Sequence, residues 1–584
     1  MQKDSFMSEK SHAIAEITAF GGVDSTAPSS ENLACDSVNF RILPDGSLYK
    51  RSGYRKILQI DGNIRTMWSG SINDEFTGFV LVGSKVYQMD FDENTLTLVG
   101  SVDTSSGKAT FIYYMNSIFL LDGSKLYHIG SEGIRHAQGY APLIGKDWPT
   151  TYVGDENEPI NLVTRRVRIS YLAGSLPTVY LRTKYNVASV DAFYLNGVLL
   201  DSTAYTYDDS TKTIYYDNIK ENDRVLVYLT LAEGAFDDSG FNTCTSASVF
   251  GGIYNSRAFM WGGNDSSVMY CSREVSREDM AESSKIYAED AGLYIPSGYE
   301  FKVGDGRYGI TAVNRHYDRL LIFTKGDAWM ADSSACGTEQ HPVMTINSSY
   351  GCASYGATAK CGNDPVTVGD GTIYRWTSDT DELNDCNAYS LSGQIDSLLD
   401  DAFYTSAVVW CDRRSDELLF SYPDSPDGTV WVYGMKAGKW YRYTGIGAEA
   451  FFDANGKCGF IRENGLYVFD TACMYDYDSD QTQKTISAVY ESNHMGFGRQ
   501  SEAKRLSKVS AYMQGSGTVS LGFSENGKNL AGLTFDSDNL TDDGIRRCYV
   551  KRLNSARFHS CSVRISNSDG GRPRIFGICT AVKK

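Results

Sequence analysis

Ser84-Lys85-Val86-Tyr87 is repeated forty residues on as Ser124-Lys125-Leu126-Tyr127: a turn residue, a cation, an aliphatic residue and an aromatic one. The aliphatic-aromatic ending returns in looser form at Met269-Tyr270, Ala328-Trp329, Ile373-Tyr374, Val430-Trp431 and Leu466-Tyr467. Apart from the long gap between Tyr127 and Tyr270, the steps are 40, 59, 45, 57 and 36 residues. A four-stranded propeller blade takes about 40–50 residues, so this spacing points to a β-propeller. Further hydrophobic runs closed by turn residues fall between the landmarks: Gly78 to Val82, Ser117 to Leu121, Arg257 to Trp261, Arg319 to Phe323 and Glu417 to Tyr422. Each reads as a strand of the same blade. The repeat is degenerate; about seven blades fit, with six and eight as the neighbouring counts.

Composition agrees with an all-β chain. Of 584 residues, 56 are Gly, 39 Tyr and only 12 Pro. Aromatics suit pleated surfaces and Gly supplies the tight turns between short strands. A hydrophobic fraction of 42% builds cores, which excludes a disordered chain. Collagen, coiled coils and helical solenoids are excluded by the same counts.

The long gap holds a run of its own, with strands expected at Thr178–Arg182, Ala192–Gly197, Ala204–Tyr207, Thr213–Tyr216 and Arg224–Thr230. Alternation and turns such as Asn196-Gly197 make it a small β-sandwich inserted into the propeller. After Asp480 the landmarks stop, and strands near Ile486–Tyr490, Val509–Met513, Val519–Phe523, Tyr549–Arg552 and Cys561–Ile565 indicate a second sandwich. The expected organisation is therefore an N-terminal arm (1–55), blades (56–159), inserted module (160–234), further blades (235–483) and a C-terminal sandwich (484–584). Two helices are expected, Ser276 to Glu289 behind a Ser276/Asp279 cap and Ser392 to Phe403, with Ile395, Leu398, Leu399, Ala402 and Phe403 on one face.

Charge is uneven. The chain carries −17, yet residues 484–584 hold 16 basic and 8 acidic side chains, a net of +8, which leaves −25 on the first 483. An acidic body repels nucleic-acid phosphate, whereas the basic end suits an acidic partner. Arg546, Arg547, Lys551, Arg552 and Arg557 are its densest cluster. Counting by twos along a strand puts Tyr549, Lys551 and Leu553 on one face, so the charges split between faces. That favours protein docking over a phosphate-tracking stripe.

Signatures of catalysis are missing: no G-x-S-x-G, H-E-x-x-H or Walker loop is found, and no G-x-G-x-x-G is read as following a strand. The seven His are dispersed, and the 13 Cys include no C-x-x-C, which reads as free thiols used as small hydrophobes. No cofactor is expected. Asp476, Asp478 and Asp480 alternate as calcium-loop carboxylates do, but Gln481 and Ser487 stand where the EF-hand pattern needs Gly and Glu. A solvated linker is the expectation there, and no metal. Residues 1–10 are polar and lack the apolar core of a secretory leader, and no run reaches a membrane span, so the expectation is a soluble chain made in a cytoplasm.

Phe20-Gly21-Gly22-Val23-Asp24, Asn39-Phe40 and Asp45-Gly46-Ser47-Leu48-Tyr49-Lys50-Arg51-Ser52-Gly53-Tyr54 resemble the opening of the tail hub or nozzle proteins of short-tailed bacteriophages, also called packaged-DNA stabilisation or tail tubular B proteins. The motif residues are Gly21, Gly22, Asn39, Gly46, Arg51 and Gly53; Ser52 replaces a Pro common in relatives. Val303-Gly304-Asp305-Gly306 with Arg319 to Thr324, and Gly371 to Trp376 followed by Leu391-Ser392, continue the likeness in the same order.

The resemblance implies a structural virion protein of the tail, assembled in the bacterial cytoplasm. It would form a ring, usually of six copies, below the portal and adaptor rings, contacting other tail proteins and possible fibres or spikes. DNA would pass through without specific recognition. It implies no enzyme. A receptor-binding or baseplate propeller is the alternative, and a glycan depolymerase a third reading.

Overall fold

The computed structural model describes residues 12–27, 33–150, 155–175, 178–181, 183–251, 256–286, 290, 292–331, 343–378, 386–479, 482–497, 501–536 and 544–583. Strands dominate it, and the chain divides into two compact units, residues 62–349 and residues 1–61 with 350–584.

The unit of residues 62–349 holds four antiparallel four-stranded meanders. They run Ile64–Ile72 to Thr95–Ser101, Thr110–Tyr114 to Gly133–His136, Ser246–Gly251 to Phe301–Lys302 and Ile310–His316 to Val343–Asn347. The other unit holds three more. Two are Thr358–Cys361 to Cys386–Ser390 and Val408–Asp412 to Lys439–Tyr443; the third combines Ala450–Asp453, Cys458–Arg462 and Gly465–Phe469 with Tyr54–Gln59 from the N-terminal region. The aliphatic-aromatic landmark occupies the third strand in all seven.

Burial explains the pattern. The second strands, such as Ser117–Leu121, Arg319–Thr324 and Glu417–Ser421, are buried on both faces, whereas the fourth strand Thr95–Ser101 is largely exposed. A meander stacked between two neighbours needs apolar side chains on both sides of its middle strands, so these lose the simple alternation. Phe79, Leu81 and Val86 of one meander pack with Phe111, Ile118 and Leu120 of the next, and equivalent clusters join the second to the third and the third to the fourth.

Between the second and third meanders lies the inserted module. Leu143–Pro149, Arg166–Leu172, Arg224–Leu231, Val187–Leu195 and Val198–Leu199 form one sheet, and Thr178–Tyr180, Thr213–Tyr215 and Thr206–Asp208 the other. Asn196 and Gly197 turn the hairpin with φ of 50° and 81°, as a two-residue type I′ loop requires. The first sheet begins at Leu143 because that strand runs parallel to Arg166–Leu172, so a boundary at residue 160 cuts through the sheet. The two ends meet where Arg166 pairs with Thr230.

Val167, Ile169, Phe193, Ile214, Val227 and Leu229 are fully buried in a core of the module's own. Phe193→Ala is expected to cost about 3–5 kcal/mol through the lost contacts and the cavity. Hydrogen exchange should locate that loss in residues 166–231 and leave the strand Arg319–Thr324 protected as before. Equal loss of protection in both places would mean the module does not open separately.

Helix is as scarce as expected, with two corrections. Arg277–Ser284 forms behind Ser276, whose hydroxyl accepts from the Asp279 amide at 3.0 Å, but it ends at Ser284, short of the expected Glu289, which lies outside the described residues. Ser392 to Phe403 is not one helix: a 3-10 turn at Asp396–Leu398 ends in extended Leu399, and Asp401–Ser406 starts afresh. Asp400 breaks the run by capping the second helix, its carboxylate accepting from the Phe403 amide at 2.8 Å. Leu398 accordingly stands 47% exposed instead of joining the apolar face.

The C-terminal strands build two sheets that the N-terminal region completes. Ala488–Ser492, Ser562–Asn567, Val519–Glu525 and Lys528–Phe535 continue through Ala34–Val38 into Lys439–Tyr443. The second sheet runs Phe40–Ile42, Leu48–Lys50, Arg574–Lys583, Arg505–Gln514, Arg547–Arg552, with His12–Ile17 also paired to Arg574–Lys583.

Candidate functional site

The opening motif, the Asp476–Asp480 carboxylates and the basic cluster all belong to the unit of residues 1–61 and 350–584. The opening motif forms a buried knot. Arg51 donates through Nη1 and Nη2 to the two carboxylate oxygens of Asp476 at 2.8 and 2.7 Å, through Nε to Asn39 Oδ1 at 2.9 Å, and to the carbonyls of Ser52 and Thr444, both at 3.0 Å. Burial opposes the charge, but Asp476 holds the guanidinium more firmly protonated than usual. Asn39 adopts φ 57° and its amide donates to the Ser487 carbonyl at 2.7 Å and to Thr444 Oγ1 at 3.0 Å.

The motif glycines serve tight turns and close backbone crossings, Gly53 beside the knot itself. Gly46 turns at φ +77°, and a Cβ on Gly53 would lie 1.9 Å from the Tyr475 carbonyl oxygen, so only glycine lets these segments cross. Gly22 packs on the Trp440 backbone, and Gly21 accepts from the Tyr490 hydroxyl at 3.4 Å. Each motif residue is thereby committed to structure.

The expected solvated linker is corrected at the same place. Tyr475–Ser479 is a strand, Asp476 is buried against Arg51, and Asp478 accepts from Arg462 at 2.6 Å. Asp480 lies outside the described residues. Among the described residues no three His, Cys, Asp or Glu side chains converge as metal ligands.

Beside the knot are buried charges that no motif announced. Glu417 Oε1 accepts from Arg41 at 2.6 Å and from the Tyr441 and Tyr443 hydroxyls at 2.8 and 2.7 Å. Burial, with the Glu417 charge adding to it, drives both phenols well above their ordinary range. Lys50 is buried, donating to Asn567 Oδ1 and the Asp569 carbonyl at 2.6 Å each, and burial pulls its ammonium down to about 8.

An unfolded lysine keeps its proton to about pH 10.4, so between pH 8 and 10 the unfolded state binds more protons and Lys50 makes stability rise with pH. Relative to Lys50→Met, the wild type should therefore gain unfolding free energy over that window, measured by urea titration. A constant difference would place the ammonium's titration elsewhere.

The basic cluster flanks and forms a strand, Arg547–Arg552, which among the described residues pairs only with Arg505–Gln514. Cys548, Val550 and Arg552 are exposed on one face; Tyr549 and Lys551 lie on the other, against buried Phe535. Arg546 lies on the exposed side, its guanidinium 4.4 Å from the Phe576 ring centroid and 5.5 Å from that of Tyr512. Arg547 precedes Cys548 and is half-buried, and Arg557 is exposed beyond the strand.

Register extends the exposed face across the sheet. Arg552 lies opposite Lys508, Lys508 opposite Ala581, and Ala581 opposite Ile14. Val550 is 51% exposed, Tyr512 38% and Ile14 67%. The face thus joins cations to uncovered apolar side chains. The sequence marked its arginines; Tyr512, Phe576 and Ile14 were missed because their sharing of this face depends on pairings between distant strands, Ile14 lying opposite Ala581.

Elsewhere in this unit a cavity of about 360 Å³ is lined by Asp36, Trp431, Tyr422 and Arg442. Arg442 grips Asp36 at 3.0 and 2.8 Å, so the carboxylate is engaged as an ion-pair partner.

No family model matches the chain, and no curated protein does. Solved structures similar to parts of it include a chain of the mitotic checkpoint complex, at 9% identity over 72% of this chain and 93% of that one, with a TM-score of 0.34. PorZ, a surface component of the type-IX secretion system of Porphyromonas gingivalis, matches at 10% identity over 84% of this chain and 46% of its own, with a TM-score of 0.30. The WD40 domain of SCAP from fission yeast matches at 7% identity over 80% and 96%, with a TM-score of 0.29. At such scores these likenesses carry no argument about function; the strand pattern itself makes the chain an all-β protein of propeller-type meanders.

Proposed function

We propose that this chain is a structural protein of a bacteriophage tail, a ring-forming hub of the tail nozzle kind, with docking surfaces for further copies and other tail components. The observation that carries this reading is the exposed sheet face on which Arg546, Lys508 and Arg552 surround Val550, Tyr512 and Ile14. Exposed apolar groups rimmed by charge are the composition of an interaction surface. On a chain of net −17, a basic patch of this kind complements the acidic surface of another copy.

Support also comes from the opening motif, whose resemblance to hub proteins rests on Asn39 and Arg51, which build the knot with Asp476, and on glycines that serve close turns and crossings. The reading assigns no catalytic residue and no cofactor, and makes the conduit acidic so that DNA slides without adhering. Native mass spectrometry and negative-stain imaging of the purified chain test it. Closed rings are the expected result; a chain that stays monomeric at tens of micromolar in low salt, or that releases sugars from a host envelope, would overturn it.

A further inference from the structure

The unit of residues 62–349 contains a cavity of about 390 Å³ at the root of the inserted module, within the size range of small-ligand sites. Its wall joins three parts of the chain: Lys125, Arg135 and Gln138 from the second meander, Thr164 to Arg166 with Thr230 from the module's paired ends, and Asp238 with Asn242 from the short helix that follows. Four cations and one carboxylate therefore face one small space, in a protein whose first 483 residues carry −25. Like charges so gathered repel unless something negative sits among them.

Two of the cations are already committed. Arg135 is paired with buried Asp290 at 2.9 Å, and Arg166 donates to Gln138 Oε1 at 2.6 Å. Lys125 and Arg165 are exposed, and among the described residues neither head group has a hydrogen bond or ion pair. Asp238 precedes the helix without capping it. Thr164, Thr230, Gln138 and Asn242 complete the lining, the Thr230 hydroxyl donating to Asp191 at 2.7 Å and the Thr164 hydroxyl accepting from the Arg166 amide at 3.2 Å. An ammonium and a guanidinium open to solvent, with hydrogen-bonding groups between them, are the complement of an oxyanion carried on a polyol.

We infer that this cavity is a binding site for a small organic anion, a carboxylate or phosphate on a hydroxylated frame, held by Lys125 and Arg165. The ligand would bridge the second meander and the module's base, fixing the module's angle on its root.

Calorimetric titration of the full chain with glycerol 3-phosphate and with glucuronate, at constant ionic strength, tests this, with glycerol and glucose as neutral counterparts. At least one anion should bind one to one, its identity distinguishing phosphate from carboxylate, and the neutral compounds should not bind. Lys125→Gln/Arg165→Gln should weaken the affinity about tenfold or more, since charge-assisted hydrogen bonds are lost. Asp238→Asn, which removes the opposing charge, should tighten it. The inference fails if neither anion binds, if the neutral counterparts bind equally well, or if the double variant binds as the wild type does with its thermal transition unchanged.

Discussion

Arg51→Met is expected to destabilise the protein by about 3–5 kcal/mol, the usual loss when one partner of a buried ion pair is removed. The side chains of Arg51 and Asp476 are 3% and 5% exposed, so water cannot replace the guanidinium. Asp476 would keep a buried charge without its counterion, and Asn39 and the Thr444 carbonyl would each lose a donor. Against a typical total of about 5–15 kcal/mol, this is a large share of the stability.

The knot also ties segments far apart in sequence, because Asn39, Thr444, Asp476 and Ser487 all meet through it. Arg51→Met/Asp476→Leu should recover most of the loss, since an apolar pair of similar volume removes the stranded charge as well. Urea unfolding followed by tryptophan fluorescence measures both variants. A single-variant loss below about 1 kcal/mol, in the range of an exposed ion pair, would show that the pair is solvated and the knot loose.

The blades were legible because their third strands carry a local signal, a turn followed by an aliphatic and an aromatic residue, which needs no knowledge of pairing. The module was legible for the same reason, from alternation and the Asn196-Gly197 turn. Its first strand was not: Leu143–Pro149 joins by a parallel pairing with register shifts, and nothing between residues 143 and 149 marks a change of domain. The apolar spacing from Ser392 to Phe403 does not make one helix because the competing cap at Asp400 restarts the chain there.

Site residues divide similarly. The opening motif was visible as residues, but its partner Asp476 lies 425 positions away, in a stretch that reads as a solvated linker. The cationic cavity was invisible, because Lys125, Arg135 and Arg165 become neighbours only when the module's ends close on the second meander.

Charge reversal on the exposed C-terminal face is expected to abolish assembly. Arg546→Glu/Arg552→Glu places two negative charges where the proposed contact meets the acidic body of a neighbouring copy. Like-charge juxtaposition at an interface costs several kcal/mol, so association should weaken by about a hundredfold or more. Both side chains are exposed, and the unfolding midpoint of the isolated chain should stay close to that of the wild type.

Arg547 is less suitable for this test. It is half-buried and has a partner in the structure, so its reversal would mix folding with assembly. Salt should mimic the reversal in the wild type, because exposed pairs are screened over about 10 Å at 0.1 M and about 3 Å at 1 M. Val550→Glu supplies the apolar arm: it should weaken assembly at high salt as well, where the charges no longer count. Sedimentation velocity across a salt series reads all three. Normal rings from the Arg546→Glu/Arg552→Glu protein would make this face a solvated surface and move the contact elsewhere. Weakening by Val550→Glu alone would keep the contact here but assign its strength to the apolar patch.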